Sequence, residues 1–461
     1  MKSDPLVNAA ALSRRQVLLG LGATLSSAGL SAYAEPQPPM AQSAAPAMPE
    51  DATQRAQAAT RAQRMEWWHA ARFGMFIHIG VYSVIERKEW ILLEEAMPLS
   101  EYESFVPDYQ PAPDAAKTWA RLARQSGMHY MVLTAKHHEG FCNFNSRLTP
   151  YNSVAMGPRR DLVQEYVAAA RAEGMRVGIY YSLMDWHHPD GARCAHDEAA
   201  RRRFVDYTHG LIRELLTNYG KIDILWYDMP IPLDAQGWES QRMNEMVFAL
   251  QPEIIVNDRN KLPGDYGTPE QTIGDASIKR AWESCMTINE SWGYERADLN
   301  WKDSRTILRN LIDCSAGGGN YLLNIGPRSD GSVPAASVEV LREVGVWIEA
   351  NRESVFDTDL CSISDPFYAS YSQKGNILFM HIHFWPGRYV AVPGLTTEVR
   401  SVKYLKTGKP VQFEQKDLRL RLLNLPLEPP DSPITTFAIE CAAPPKQDVD
   451  LVSQTRVRLR V

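Results

Sequence analysis

Between residues 73 and 351, short β-prone apolar runs alternate with amphipathic stretches, and this alternation constrains the fold more than anything else in the chain. Runs at 74–83, 130–136, 176–182, 223–228, 254–258, 280–287 and 320–325 read as strands. Segments at 114–125, 161–173, 204–219, 239–250, 304–314 and 338–351 read as helices, with Gly127, Gly174 and Gly220 as stops. Strands that alternate with helices pair in parallel, because each crossover returns the chain to the same end of the sheet. No G-x-G-x-x-G follows the first strand, and about seven β-α units suit a (β/α)8-like barrel better than an open nucleotide-binding sheet. One strand short of eight, the barrel is expected to be irregular.

The 461 residues hold more than this barrel. From about residue 356 the runs shorten (367–371, 377–384, 389–392, 399–405, 418–423, 435–440), with Gly, Pro and Asn between them. That predicts an all-β sandwich over 356–461. At the other end, Ser13-Arg14-Arg15-Gln16-Val17-Leu18-Leu19 precedes a mildly apolar stretch closed by Ala32-Tyr33-Ala34. The pattern is that of a twin-arginine signal peptide over 1–34, removed on export to a bacterial periplasm or beyond, so no membrane span is expected in the mature chain. Residues 35–60, rich in Pro, Ala, Gln and Ser, read as a disordered linker and leave the barrel on 61–355. The formal charge of -6 gives no reason to expect a nucleic-acid partner. Six scattered cysteines without C-x-x-C form neither a disulfide framework nor a zinc pattern.

Barrel chemistry comes from the C-terminal ends of the strands. The first strand buries His78, and the second ends in Lys136-His137-His138-Glu139. The third carries Tyr180 and Tyr181 and runs on to Asp185-Trp186-His187-His188. The fourth ends Trp226-Tyr227-Asp228 and the fifth Asn257-Asp258-Arg259. Asp228, at a strand tip behind two rings, is the candidate nucleophile; its alternative is a helix N-cap. Acid–base work needs a second carboxylate. Glu270, in the loop Gly264-Asp265-Tyr266-Gly267-Thr268-Pro269-Glu270, and Glu283, in Ala281-Trp282-Glu283-Ser284-Cys285, both qualify. The histidines invite a metal, yet adjacent residues face opposite ways unless the strand has ended, and neither H-x-H nor H-E-x-x-H occurs, so no metal or cofactor is expected. Twelve Trp and 19 Tyr suit a sugar site, where C–H faces stack on rings.

Taken together, Phe73-Gly74-Met75-Phe76-Ile77-His78-Ile79-Gly80, Leu133-Thr134-Ala135-Lys136-His137-His138-Glu139-Gly140-Phe141, Tyr151-Asn152-Ser153, Trp226-Tyr227-Asp228, Ser291-Trp292-Gly293-Tyr294 and Gly318-Gly319-Asn320-Tyr321-Leu322-Leu323-Asn324 resemble the α-L-fucosidases of glycoside hydrolase family 29. The likeness covers residues 64–355. It implies a retaining hydrolase of terminal α-L-fucose on fucosylated oligosaccharides or glycoconjugates, working through a fucosyl-aspartate on Asp228 without a cofactor. It also implies sugar contacts at His78, His137, His138, Tyr180, Trp226 and Arg259, and at Glu89 with Trp90. For the acid/base, the Gly-Asp-Tyr-x-Thr-Pro-Glu segment aligns Glu270 with that of some members, and Glu283 in Trp-Glu-x-Cys-Met-Thr competes; Glu270 is preferred. The chain departs from the family pattern at Ile79, Ile91 and Met229, the last in place of a frequent Gly, and these changes are expected at the pocket rim.

Overall fold

The computed structural model describes residues 52–274 and 280–448; the expected signal peptide and the linker up to residue 51 lie outside them. The linker gives way to structure sooner than its composition suggests, because helix α1 spans Ala52–Ala71. Ala, Gln and Arg dominate the start of this helix, and once the prolines stop at Pro49 they are good helix formers. Met65, Trp68 and Ala71 are buried along one face of it.

Seven parallel strands follow: β1 (Phe73–Ile77), β2 (Tyr130–Lys136), β3 (Arg176–Ser182), β4 (Ile224–Asp228), β5 (Ile255–Val256), β6 (Glu283–Thr287) and β7 (Asn320–Ile325). They curl in the order β5-β4-β3-β2-β1-β7-β6. The β1–β2 connection carries three short helical turns, α2 (Tyr82–Ile85), α3 (Ile91–Glu94) and α4 (Leu99–Glu103). Six longer helices follow: α5 (Ala115–Gln125) completes the β1–β2 connection, α6 (Leu162–Ala172), α7 (Glu198–Asn218), α8 (Ser240–Leu250) and α9 (Ser304–Ala316) occupy later ones, and α10 (Ala335–Asn351) follows β7. Asp161, Asp197 and Asp303 start α6, α7 and α9 by accepting a backbone N–H three residues on, worth about 1 kcal/mol each.

Among the described residues, an irregular segment stands where an eighth strand would pair. Between β5 and β6, the Asp265 N–H donates to Val256 O at 2.7 Å, Gly267 N–H to Ala281 O at 2.9 Å and Gln271 N–H to Cys285 O at 2.9 Å. Tyr266 pairs with Asn257, Gly267 with Trp282 and Glu270 with Cys285 as single bridges. Residues 265–271 therefore close the barrel as an irregular edge, since Pro269 has no N–H to give a continuous ladder. Inside, Phe76, Val132, Tyr180, Trp226, Tyr266 and Leu322 form an aromatic-rich core. Helix α1 plugs the end where the strands begin: Trp68 packs on Tyr266 with centroids 5.1 Å apart, and Asn320 Nδ2 donates to Trp68 O at 2.9 Å. Arg64 forks onto both oxygens of buried Asp265 at 2.7 Å each.

Seven antiparallel strands follow: β8 (Ala369–Lys374), β9 (Ile377–Ile382), β10 (Val390–Pro393), β11 (Val399–Tyr404), β12 (Gln412–Lys416), β13 (Arg419–Leu423) and β14 (Thr435–Cys441). They form a four-stranded sheet, β11-β14-β9-β8, and a three-stranded one, β10-β13-β12. The sequence reading passed over β12, a polar edge strand with no fully buried side chain. Barrel and sandwich make one compact unit. Ser370 Oγ donates to Asp313 of α9 at 2.6 Å, and Trp347 Nε1 of α10 donates to Ile434 O at 2.8 Å. Among the described residues, no helix is long and apolar enough to cross a membrane.

Candidate active site

A cavity of about 120 Å³ opens where β1 to β4 end. Pockets for drug-sized ligands run to roughly 300–1,000 Å³, so this one suits a single small ring. Phe76, Tyr180, Trp226 and Trp292 supply its aromatic lining, and His78, His137 and His138 its imidazoles. Trp90, Asp228, Met229, Arg259, Glu270 and Cys285 complete it. Nine of the sequence-derived site residues thus converge.

Asp228, the last residue of β4, is partly buried and caps no helix; Glu239 precedes α8 instead. One of its oxygens accepts from Tyr180 Oη at 2.7 Å, and the other from Arg259 Nη1 at 2.7 Å. Burial works against ionisation here, but the Arg259 guanidinium and the Tyr180 hydroxyl outweigh it and hold the carboxyl below its usual range. Arg259 Nη2 donates to Glu270 Oε2 at 2.8 Å, so one guanidinium bridges both carboxylates. Its Nε donates to Thr268 Oγ1 at 2.9 Å, and its Cζ lies 4.6 Å from the Trp226 ring centre.

The histidines form a neutral wall. Asn324 Nδ2 donates to Trp292 O at 2.7 Å, which turns its Oδ1 toward His78 Nδ1, also at 2.7 Å. His78 therefore carries its proton on Nδ1 and offers a bare Nε2. Ser182 Oγ spends its proton on Met184 O and accepts from His138 Nδ1 at 2.7 Å, so His138 Nε2 is likewise an acceptor, 3.9 Å from Asp228 Oδ2. Burial pushes His78 down to about 3 and His138 to about 4, and drives His137 well below its ordinary value. Opposite faces are expected of His137 and His138 only within a continuing strand, and here the strand ends before them. β2 ends at Lys136 after a register shift, and both rings turn to the cavity with centroids 3.9 Å apart. Among the described residues, no three His, Cys, Asp or Glu side chains gather as a metal ligand set.

Two expected residues do not reach the cavity. Glu283 opens β6, at the far end from the site, and is fully buried. Glu89 is buried too, its Oε2 accepting from Gly293 N at 2.8 Å beside Trp292. Of the three departures, Ile79 and Ile91 are core residues and only Met229 lines the cavity. Sequence reasoning missed Phe76, Cys285 and the tautomer-setting pair Asn324 and Ser182. Phe76 was within reach, since it lies two residues from His78 and so on the same face of β1.

Two carboxylates tied through one arginine, beside imidazole acceptors and aromatic rings at the end of a parallel barrel, define a glycoside hydrolase site. The Alpha-L-fucosidase family model matches residues 40–353. Tissue α-L-fucosidase of Bos taurus is 31% identical over 407 residues, 81% of this chain and 86% of that protein. Among solved structures, α-L-fucosidase isoenzyme 1 from Paenibacillus thiaminolyticus superposes with a TM-score of 0.77 at 34% identity, covering 83% of this chain and 99% of that one. A Bacteroides thetaiotaomicron family 29 α-L-fucosidase, trapped as a covalent intermediate with 2-fluoro-fucosyl fluoride by way of a glutamate-to-glutamine mutant, superposes at 0.76 with 25% identity over 83% of this chain and 96% of that one. The chain belongs to the α-L-fucosidase family.

Proposed function

We propose that the protein is a retaining exo-α-L-fucosidase that removes terminal α-L-fucose from glycans, with Asp228 as nucleophile and Glu270 as acid/base. The observation that carries this reading is the Arg259 guanidinium shared by the two carboxylates at the wall of a one-ring cavity. Retention needs the pair close together, about 5–5.5 Å apart. Asp228, kept ionised by Arg259 and Tyr180, attacks the anomeric carbon. Glu270 in its acid form gives its proton to the departing oxygen, then takes one from the water that cleaves the fucosyl-aspartate. Its exposed side chain, on the irregular edge of the barrel, meets the leaving group, whereas Glu283 has no path to it. His78 Nε2 and His138 Nε2 accept sugar hydroxyl protons, and Trp226 and Phe76 pack the ring's apolar side. Arg259 binds the sugar as it positions the carboxylates.

NMR of an aryl α-L-fucoside digest tests the stereochemistry. The first product is expected to be α-L-fucose, and β-L-fucose would contradict the double displacement. The twin-arginine segment supports an exported enzyme acting in the periplasm or outside the cell. A tagged chain should appear in the periplasmic fraction and stay in the cytoplasm when Arg14 and Arg15 are both changed to Lys.

A further inference from the structure

Glu283 is a fully buried carboxylate that the reaction does not use. Its Oε1 accepts from Trp226 Nε1 at 3.0 Å and its Oε2 from Tyr130 Oη at 2.5 Å. Trp226 reaches it from β4 and Tyr130 from β2, so the carboxylate ties three strands together inside the barrel. The other edge of the same indole faces the cavity, and its ring lies under the Arg259 guanidinium. Arg259 in turn grips Asp228 and Glu270.

A buried carboxylate is costly, and a packed apolar side chain would fill this space without that cost. Burial pushes Glu283 up to about 7 even with contacts from Tyr130, Trp226 and Trp68 pulling the other way. The titratable groups whose charges couple to it are the phenols of Tyr130 and Tyr266 and the thiols of Cys285 and Cys314, all raised by burial and neutral. The bond that singles this carboxylate out is the one to the indole. An indole with its N–H unanchored can turn about its outer side-chain torsion, which is broad for aromatic rings. Turning it would remove the platform from under Arg259 and shift both carboxylates at once.

We propose that Glu283 is a positioning residue that, from beneath the cavity floor, fixes the Trp226 indole against the arginine shared by Asp228 and Glu270. The inference rests on the roles given above to Asp228 and Glu270. A wild-type protein inert toward every fucoside would sink those roles, whereas the tests below compare variants with an active wild type.

Glu283→Ala should lower kcat/KM up to about a hundredfold, the cost of misplacing groups by about 1 Å. The loss should extend to aryl fucosides with good leaving groups, because Asp228 is displaced along with Glu270, and should not be rescued by azide. The acid limb of its pH–rate profile should move to higher pH, because Asp228 is less well held by Arg259. A merely structural carboxylate would lower thermal stability and leave that limb where it is. Glu283→Gln can keep both contacts, since its amide donates to Tyr130 and its carbonyl accepts from Trp226, and should restore the limb. If Glu283→Ala does not fold, Trp226→Phe reports on the same link: it keeps a ring under Arg259 without the N–H, and its acid limb should also rise. An unmoved limb in whichever of these two variants folds, or a loss confined to poor leaving groups and rescued by azide in Glu283→Ala, would overturn the proposal.

Discussion

Arg259 donates to Asp228 through Nη1 and to Glu270 through Nη2, so the charge of each carboxylate is felt by the other through one planar group. Lysine cannot reproduce that fork. Arg259→Lys is expected to lower kcat by at least about a hundredfold, in keeping with the loss of a preorganised charge contact. Tyr180→Phe removes the 2.7 Å hydrogen bond to Asp228 Oδ2 and should cost about 1.5–3 kcal/mol in transition-state stabilisation, read as kcat/KM. The sign of its pH effect follows from the direction of the shift. Asp228 is held below its usual range, so losing a donor raises it, and the acid limb should move to higher pH. An unmoved limb in Tyr180→Phe would mean that the phenol does not share in holding the charge. Most of these residues were legible in the sequence because strand tips announce themselves: an apolar run ends in polar side chains. Arg259 was read only as a sugar contact, since its bridging role depends on a loop eleven residues on, and no periodicity reports that. Glu283 was not separable from Glu270 by its place in the strand, because the run read as 280–287 begins only at Glu283.

At the scale of elements, the weak point of the barrel is the edge between β5 and β6, and it is there that Glu270 sits. Three single bridges and a few backbone hydrogen bonds hold residues 265–271, and the Arg64–Asp265 ion pair anchors their start. Both side chains of that pair are about 97–98% buried, so removing Arg64 leaves the buried Asp265 carboxylate only the more exposed Arg61, whose Nε donates to it at 3.3 Å. Arg64→Ala should destabilise the protein by about 3 kcal/mol in urea unfolding. It should also slow poor leaving groups more than good ones, because Glu270 loses its register. A loss independent of leaving group would separate this edge from proton transfer. The strands β2, β3 and β7 were legible to the residue, since continuous apolar runs bounded by Gly or polar tips mark strands buried on both faces. The eighth edge was not, because Gly264, Gly267 and Pro269 break any alternation and its pairing comes from its neighbours. Helix α1 was lost for a different reason: its first residues share the Ala and Gln of the linker before it.

At the scale of the whole molecule, burying so many titratable groups sets the pH range of stability. His78, His138, His381 and His383 are depressed to about 3 or 4, and His137 is held well below its ordinary value. Unfolding lets each take up a proton, so their contribution is present above about pH 6.5 and is lost as the pH falls toward 4. Glu283 and Glu139 are raised by burial to about 7 and about 8, so their contribution is full at low pH and is lost as pH rises through those values. The melting temperature should therefore peak near neutrality, fall steeply on the acid side and fall again toward about pH 8. In Glu283→Gln the alkaline fall should be shallower; a wild-type melting temperature that climbs steadily through pH 8 would contradict this balance. The sandwich, legible as short runs between Gly and Pro, bears on this balance through His381 and His383, both buried in it. A retaining double displacement requires a covalent bond between fucose and Asp228. Incubation with a 2-fluoro-fucosyl fluoride, proteolysis and mass spectrometry of the peptide bearing Trp226-Tyr227-Asp228 measures it directly. The expected result is one 2-fluorofucosyl adduct on Asp228, absent in Asp228→Ala; an adduct on another side chain, or complete turnover of fucosides by Asp228→Ala at the wild-type rate, would contradict it.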